Sequence, residues 1–149
     1  MATEVKKEAK SDLMTQILTT QTKLEKLLKK IRRTANTYTG IPGQWTDIMM
    51  EIVGDSKQGM MQELSAVHSA AYNLPGIHND SKLQKLAANL YDEFNSLQEL
   101  QNLIVTETYI ARSKEQLSAV LDDIKRKCDL IKQDIQDVRT AVANVASAL

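Results

Sequence analysis

Two histidines, one cysteine and two adjacent acid pairs are the residues of this 149-residue chain whose types could do chemistry. They are His68, His78, Cys128, Asp92-Glu93 and Asp122-Asp123. Imidazole and thiolate groups hold a metal when three or four of them converge, at spacings such as H-E-x-x-H. His68 and His78 lack that spacing and lie on either side of a Leu74-Pro75-Gly76 break. Loop and helix-cap chemistry is the expectation for His78-Asn79-Asp80, and no metal site is expected. Adjacent helical residues diverge by about 100°, so neither acid pair faces one substrate atom as an acid–base couple. The chain carries no P-loop, no G-x-S-x-G and no dinucleotide fingerprint. Gly40 and Gly43 mark a loop that follows no strand. The expectation is a protein that is not an enzyme and takes no cofactor.

The elements that would position these residues are long amphipathic helices. From Gln116 to Leu149 the apolar positions are Leu117, Leu121, Ile124, Cys128, Ile131, Ile135, Val138, Val142, Val145 and Leu149. Their steps alternate between four and three, which keeps one stripe facing a partner along the whole rod. Such a stripe needs cover before the helix is stable in water. Cys128 sits on it and reads as a small buried hydrophobe, with a reactive or dimerising thiol as the other reading. A second seam runs through Leu13, Ile17, Thr20, Leu24, Leu27, Ile31, Thr34 and Tyr38, widened by Leu18 and Leu28. A third follows Leu83, Leu86, Leu90, Phe94, Leu97, Leu100 and Ile104.

Breakers divide the rods. Gly40, Pro42 and Gly43 end the first helix. Thr46 is expected to cap a short helix that Gly54 ends. Asp55 with Gln58 resembles a capping box for a helix from Ser56 to Asn73, with Gly59 inside it. Ser81 with Gln84, and Ser113 with Gln116, have the same pattern. The expected fold is all-α. It is a single domain with a long helix at about 4–38, a small helical lobe at 40–80, and long helices at about 82–111 and 114–148. The three long helices form an antiparallel bundle, with the lobe inserted between the first and the second. A break further on, near Arg126–Asp129, is the rival geometry.

Net charge is zero but unevenly spread. Residues 1–39 sum to +5, residues 40–80 to −4, residues 81–112 to −1 and residues 113–149 to zero. A basic first helix and an acidic middle attract each other, within the fold or between subunits. A zero total argues against a nucleic-acid partner. The run Lys23–Arg33 places Lys23, Lys26, Lys30 and Arg33 opposite Leu24, Leu27, Leu28 and Ile31. It is read as the solvated outer face of a bundle, or else as a surface for anionic lipid or calmodulin. No transmembrane span and, from MATEVKKEAKSDL, no signal peptide is expected. Either a cytosolic protein or a trimmed, exported one is expected.

The candidate contact residues are Trp45, Met49, Met50, Met60 and Met61, which gather the only Trp and four of six Met in one segment. Methionine adapts to irregular surfaces and tryptophan anchors interfaces. A private core under the loop is the other use for them.

Residues 36–45, Asn-Thr-Tyr-Thr-Gly-Ile-Pro-Gly-Gln-Trp, resemble the end of the first helix in the minor pilus components of type IV secretion and conjugation systems. Arg112, Leu117, Leu121 and Ile124, followed by Asp129-Leu130-Ile131, resemble that family's C-terminal helical pattern. The resemblance covers most of the chain in architecture and some 25 residues in motif. It implies a non-enzymatic pilus-associated structural or adhesin subunit, carried to the periplasm or cell surface. Other pilus subunits, secretion-system proteins or a target-cell surface protein would be its partners. The family's export implies a signal removed from this chain. Two departures stand against it: the missing signal, and the continuous helix from Asp122 to Val138. The alternative is a cytosolic helical interaction module that self-associates or binds another helix, as adaptors, phage proteins and chaperones do.

Overall fold

The structure, a computed structural model, describes residues 2–54 and 58–148. The fold is all-α. In chain order it has α1 (Ala2–Thr37), α2 (Thr46–Val53), α3 (Met60–Tyr72), α4 (Ser81–Asn102), α5 (Thr108–Ile110) and α6 (Lys114–Ser147). Short 3-10 turns precede α2 (Pro42–Trp45) and α4 (Ile77–Asn79), and a π-helical turn, Leu103–Glu107, joins α4 to α5. With 36 and 34 residues, α1 and α6 are each rods of roughly 50 Å.

Pairings between side chains give the directions. Glu25 meets Arg139 and Arg32 meets Asp129, so α6 runs antiparallel to α1. Asn89 meets the Asp137 carbonyl and Glu99 meets Lys127, so α6 is also antiparallel to α4. Lys10 lies 4.0 Å from Asp80 and Gln21 bonds to Glu93, which makes α1 and α4 parallel. A parallel pair in one chain needs a return path, and residues 38–80 supply it. Of that path, α3 packs back along the bundle. Leu64 joins the apolar cluster of Leu24 and Leu27, and Val67 and Ala71 join that of Leu13 and Ile17.

The seams account for the core. On α6, Ile124, Cys128, Ile131, Ile135, Val138, Val142 and Val145 are all buried, while Leu149 lies outside the described residues. On α1, Ala35 takes the buried place next to the half-buried Thr34, and Leu18 faces solvent. On α4 the buried residue at the middle of the stripe is Glu93, and Phe94 is only half-buried. The basic face of α1 meets the acidic middle: Lys23 pairs with Glu63 at 3.1 Å and Lys30 with Glu51 at 2.8 Å.

Helix ends follow local chemistry. Gly40 adopts φ +95°, a conformation strained for any side chain, just past the end of α1. The first turn of α4 is capped by Asp80, not Ser81. Its carboxylate accepts from the Lys82 and Leu83 amides at 3.1 and 3.2 Å. Gln84 instead donates to the Ile77 and His78 carbonyls. At α6, the Ser113 hydroxyl accepts from the Gln116 amide, and the Gln116 side chain reaches back to the Arg112 amide at 2.7 Å. The Asp55 end of the expected capping box lies outside the described residues. Helix α3 begins at Met60, with Gly59 as its N-cap and not inside it. A Cβ on Gly59 would stand 2.4 Å from the Gly54 nitrogen and the Val53 carbon. That close approach admits only glycine.

Candidate functional site

Trp45 is set in place by the turn before it. The Gln44 side-chain oxygen accepts from the Thr39 amide at 2.9 Å, the Thr39 hydroxyl at 3.0 Å and the Ile41 amide at 3.4 Å. Pro42 opens the 3-10 turn, where its missing N–H costs nothing. The indole is thereby driven inward, packed with Ile48 and Ile52, and only 3% of it is exposed. Its Nε1–H is buried with no acceptor among the described residues.

Above Trp45 lies an open cavity of about 460 Å³. One wall is α2, through Thr46, Met49, Met50 and Val53. The other is the π turn and α5, through Ile104, Val105, Thr108 and Tyr109. The β-branched run Ile104-Val105-Thr106 disfavours a regular α-helix, because each branch crowds the preceding turn. The π turn adds a residue to that turn. Ile104 stays in the core, while Val105 and Tyr109 face outward. The Thr108 hydroxyl donates to the Ile104 carbonyl inside the turn. The rim of this groove and the surface next to it are apolar and solvated. Met50, Val53, Val105, Tyr109, Ile110 and Ile41 are all exposed.

Compared with models of protein families, with curated proteins and with solved structures, the chain matches none.

The five residues singled out from sequence fall into two groups. Trp45, Met49 and Met50 line the groove: Trp45 as its floor, Met49 half-buried and Met50 exposed. Met60 is in the core, and Met61 packs half-buried against it. The outer wall of the groove, Val105 and Tyr109, escaped the sequence reading. Its signal was the cluster Val105, Tyr109, Ile110 lying off the α4 stripe.

Elsewhere the groups capable of chemistry are dispersed. Among the described residues no three His, Cys, Asp or Glu side chains gather as a metal site. His68 stacks between Tyr72 and Tyr91, with ring centroids 6.2 and 5.6 Å away. Together with His78 these rings line a separate cavity of about 450 Å³. Burial pushes the Cys128 thiol up to about 11, so it stays protonated and unreactive. Asp92 is exposed and Glu93 wholly buried, which realises the divergence of adjacent acids.

Gln21 and Glu93 both have 0% exposure, and Gln21 Nε2 donates to Glu93 Oε1 at 2.8 Å. Burial raises the Glu93 carboxyl to about 8; the Gln21 bond opposes this and the charge of Asp134 adds to it. Asp134 on α6 is itself raised, first by burial, with the neighbouring Ser96 opposing the rise. The opposite case is Glu25, lowered by its bond to and the charge of Arg139. The three–four alternation is kept by Leu86, Leu90, Glu93, Leu97 and Leu100 and is broken by Phe94, but a reading that follows apolar residues alone passes over Glu93.

Proposed function

We propose that this chain is a non-enzymatic recognition subunit that acts through the groove over Trp45, in the setting of a type IV secretion pilus. The observation that carries the reading is the solvated apolar rim, where Met50, Val53 and Val105 are each about half exposed and Tyr109 is 77% exposed. Apolar side chains clustered around a concavity mark a protein contact, whereas the same residues scattered singly need no explanation. In this reading the three long rods α1, α4 and α6, with α6 running against the other two, form a bundle that serves as a rigid spacer. The segment 40–80, inserted between the first two, carries the contact face with the help of the π turn. The pilus setting rests on the resemblance of residues 36–45. The partner is another pilus subunit or a target-cell surface protein, reached after export to the periplasm or cell surface.

The groove reading is favoured over a module that pairs helices between chains. The seam residues from Leu13 to Ile31 on α1 and from Ile124 to Val145 on α6 are buried within one molecule.

The test is a photo-crosslinking residue placed at Met50 in the native source cells, with a second at Gln133 on the outer face of α6. Sheared surface appendages, periplasm and cytosol are then probed separately. Adducts from Met50 alone, in the appendage fraction and to a pilus subunit, support the reading. Adducts from both positions, or protein confined to the cytosol, overturn it. Adducts of the chain with itself from the Gln133 site return the helix-pairing module.

A further inference from the structure

The core of this bundle is not continuous. One apolar cluster joins Leu24 and Ile31 to Leu97, Leu100 and Ile131. The other joins Leu13 and Ile17 to Leu86, Leu90 and Val138. Gln21 and Glu93 stand between them, on the facing sides of α1 and α4. Both are wholly buried.

Their hydrogen bonding is half complete. One bond joins the carboxamide to the carboxyl group, and the other oxygen of each, Gln21 Oε1 and Glu93 Oε2, has no partner among the described residues. Both orphans are oxygens. If Glu93 is ionised, both can only accept, and a charge sits in the core uncompensated. A carboxylic acid facing a carboxamide can do more. Its O–H donates to the amide oxygen while the amide N–H donates to the acid carbonyl. The two unpartnered atoms belong to the two planar groups that this pairing would close.

The surrounding charges do not rescue an ionised Glu93. From α6 come Asp134 and Arg139, and Arg139 is already paired with Glu25 of α1 at 3.0 Å. Asp134 carries a buried oxygen with no partner among the described residues, and its charged neighbours are Asp137 and Lys127 on α6 and Asp92 on α4. From α3, Glu63 is held by Lys23, and His68 lies against Tyr91. Two carboxyl groups thus share the layer, and the cation that acts on Glu93, Arg139, is paired with Glu25.

We infer that Glu93 is an internal proton site: its acid form closes a second bond to Gln21 and clamps the two core halves together, and losing the proton loosens the bundle at this layer.

The pH dependence has a definite sign. The folded carboxyl titrates near 8, against 4.5 for an ordinary glutamate. The stabilisation is therefore complete below the unfolded value and is lost as pH rises through the folded one.

The test uses the full chain labelled with carbon-13 at glutamate side chains. One carboxyl should titrate near 8, and it should be the signal missing from Glu93→Gln. The thermal midpoint of the unaltered chain should fall from mildly acid to alkaline pH, while Glu93→Gln, neutral throughout, should lack that fall. Amide exchange should accelerate at alkaline pH around residues 17–24, 90–97 and 131–138, after correction for its intrinsic pH dependence. A Glu93 titration in the ordinary carboxylate range overturns the inference. So does an unchanged pH dependence in Glu93→Gln. If that variant does not fold, the titration of the unaltered chain decides by itself, its high signal assigned through correlations to the Glu93 backbone.

Discussion

The rings of Tyr38 and Trp45 lie 5.5 Å apart and tilted by 41°, which ties the residue just past α1 to the floor of the groove. Such offset aromatic pairs add about 0.5–1.5 kcal/mol beyond the area they bury. Trp45→Ala should therefore destabilise the fold by about 3–5 kcal/mol in denaturant unfolding. Tyr38→Ala should cost less, because Tyr38 is only partly buried. As the only Trp, Trp45 should show blue-shifted emission in the native state that moves to the red on unfolding. A solvent-like emission from the native chain would refute the burial.

Two glycines should respond differently. Gly59→Ala forces a methyl group onto the backbone of Val53 and Gly54 and should cost more than about 1 kcal/mol. Gly43→Ala meets nothing within 4 Å and should be neutral or stabilise by about 0.4–1 kcal/mol, by restricting the unfolded chain. Equilibrium unfolding of both variants makes the comparison.

The helix caps should be measurable one at a time. Asp80→Ala removes the acceptor of two amides and should cost about 1 kcal/mol. Ser113→Ala removes one bond and should cost no more than that. Ser81→Ala should be nearly silent, since Ser81 is not the cap.

Much of this architecture is legible in the sequence, and the exceptions have physical causes. The buried run on α6 from Ile124 to Val145 follows the heptad steps, because apolar spacing alone decides which face a rod covers. The place of Glu93 is hidden because a seam reading counts apolar residues and passes over an acid that packs as a neutral group. Asp80 and Ser81 are both good caps, and only backbone geometry chooses between them. The groove combines residues 42–54 with residues 104–109, so half of it comes from a distant part of the chain. The π turn has no periodic signature of its own beyond a short β-branched run.

Cys128 should react with thiol reagents only when the fold opens. It is 2% exposed and its thiol is held protonated. Labelling by an aromatic disulfide reagent at neutral pH should be slow in the native state and fast in denaturant. Fast native labelling would show a reactive thiol.

The acid limb of stability should involve Glu25. Its carboxyl lies below the ordinary range because Arg139 bonds to it. The pair stabilises above the ordinary carboxylate range and loses that effect as pH falls through the folded value. Both side chains are about a third exposed, so the contribution is less than about 1 kcal/mol and weakens in salt. Arg139→Gln should flatten the acid side of a thermal-midpoint profile.

The bond between Arg139 and Glu25 spans 114 positions, joining the last long helix to the first. A ribosome making this chain releases α1 long before α6 exists to cover it. Until then, Leu24, Leu27 and Ile31 can pack only against α2, α3 and α4, and one side of the seam stays wet. Long-range closure of this kind is slow relative to the formation of each rod, and the open seam can meet other nascent chains. Folding is therefore completed after translation has passed Arg139, and chains cut short before α6 should be prone to aggregate.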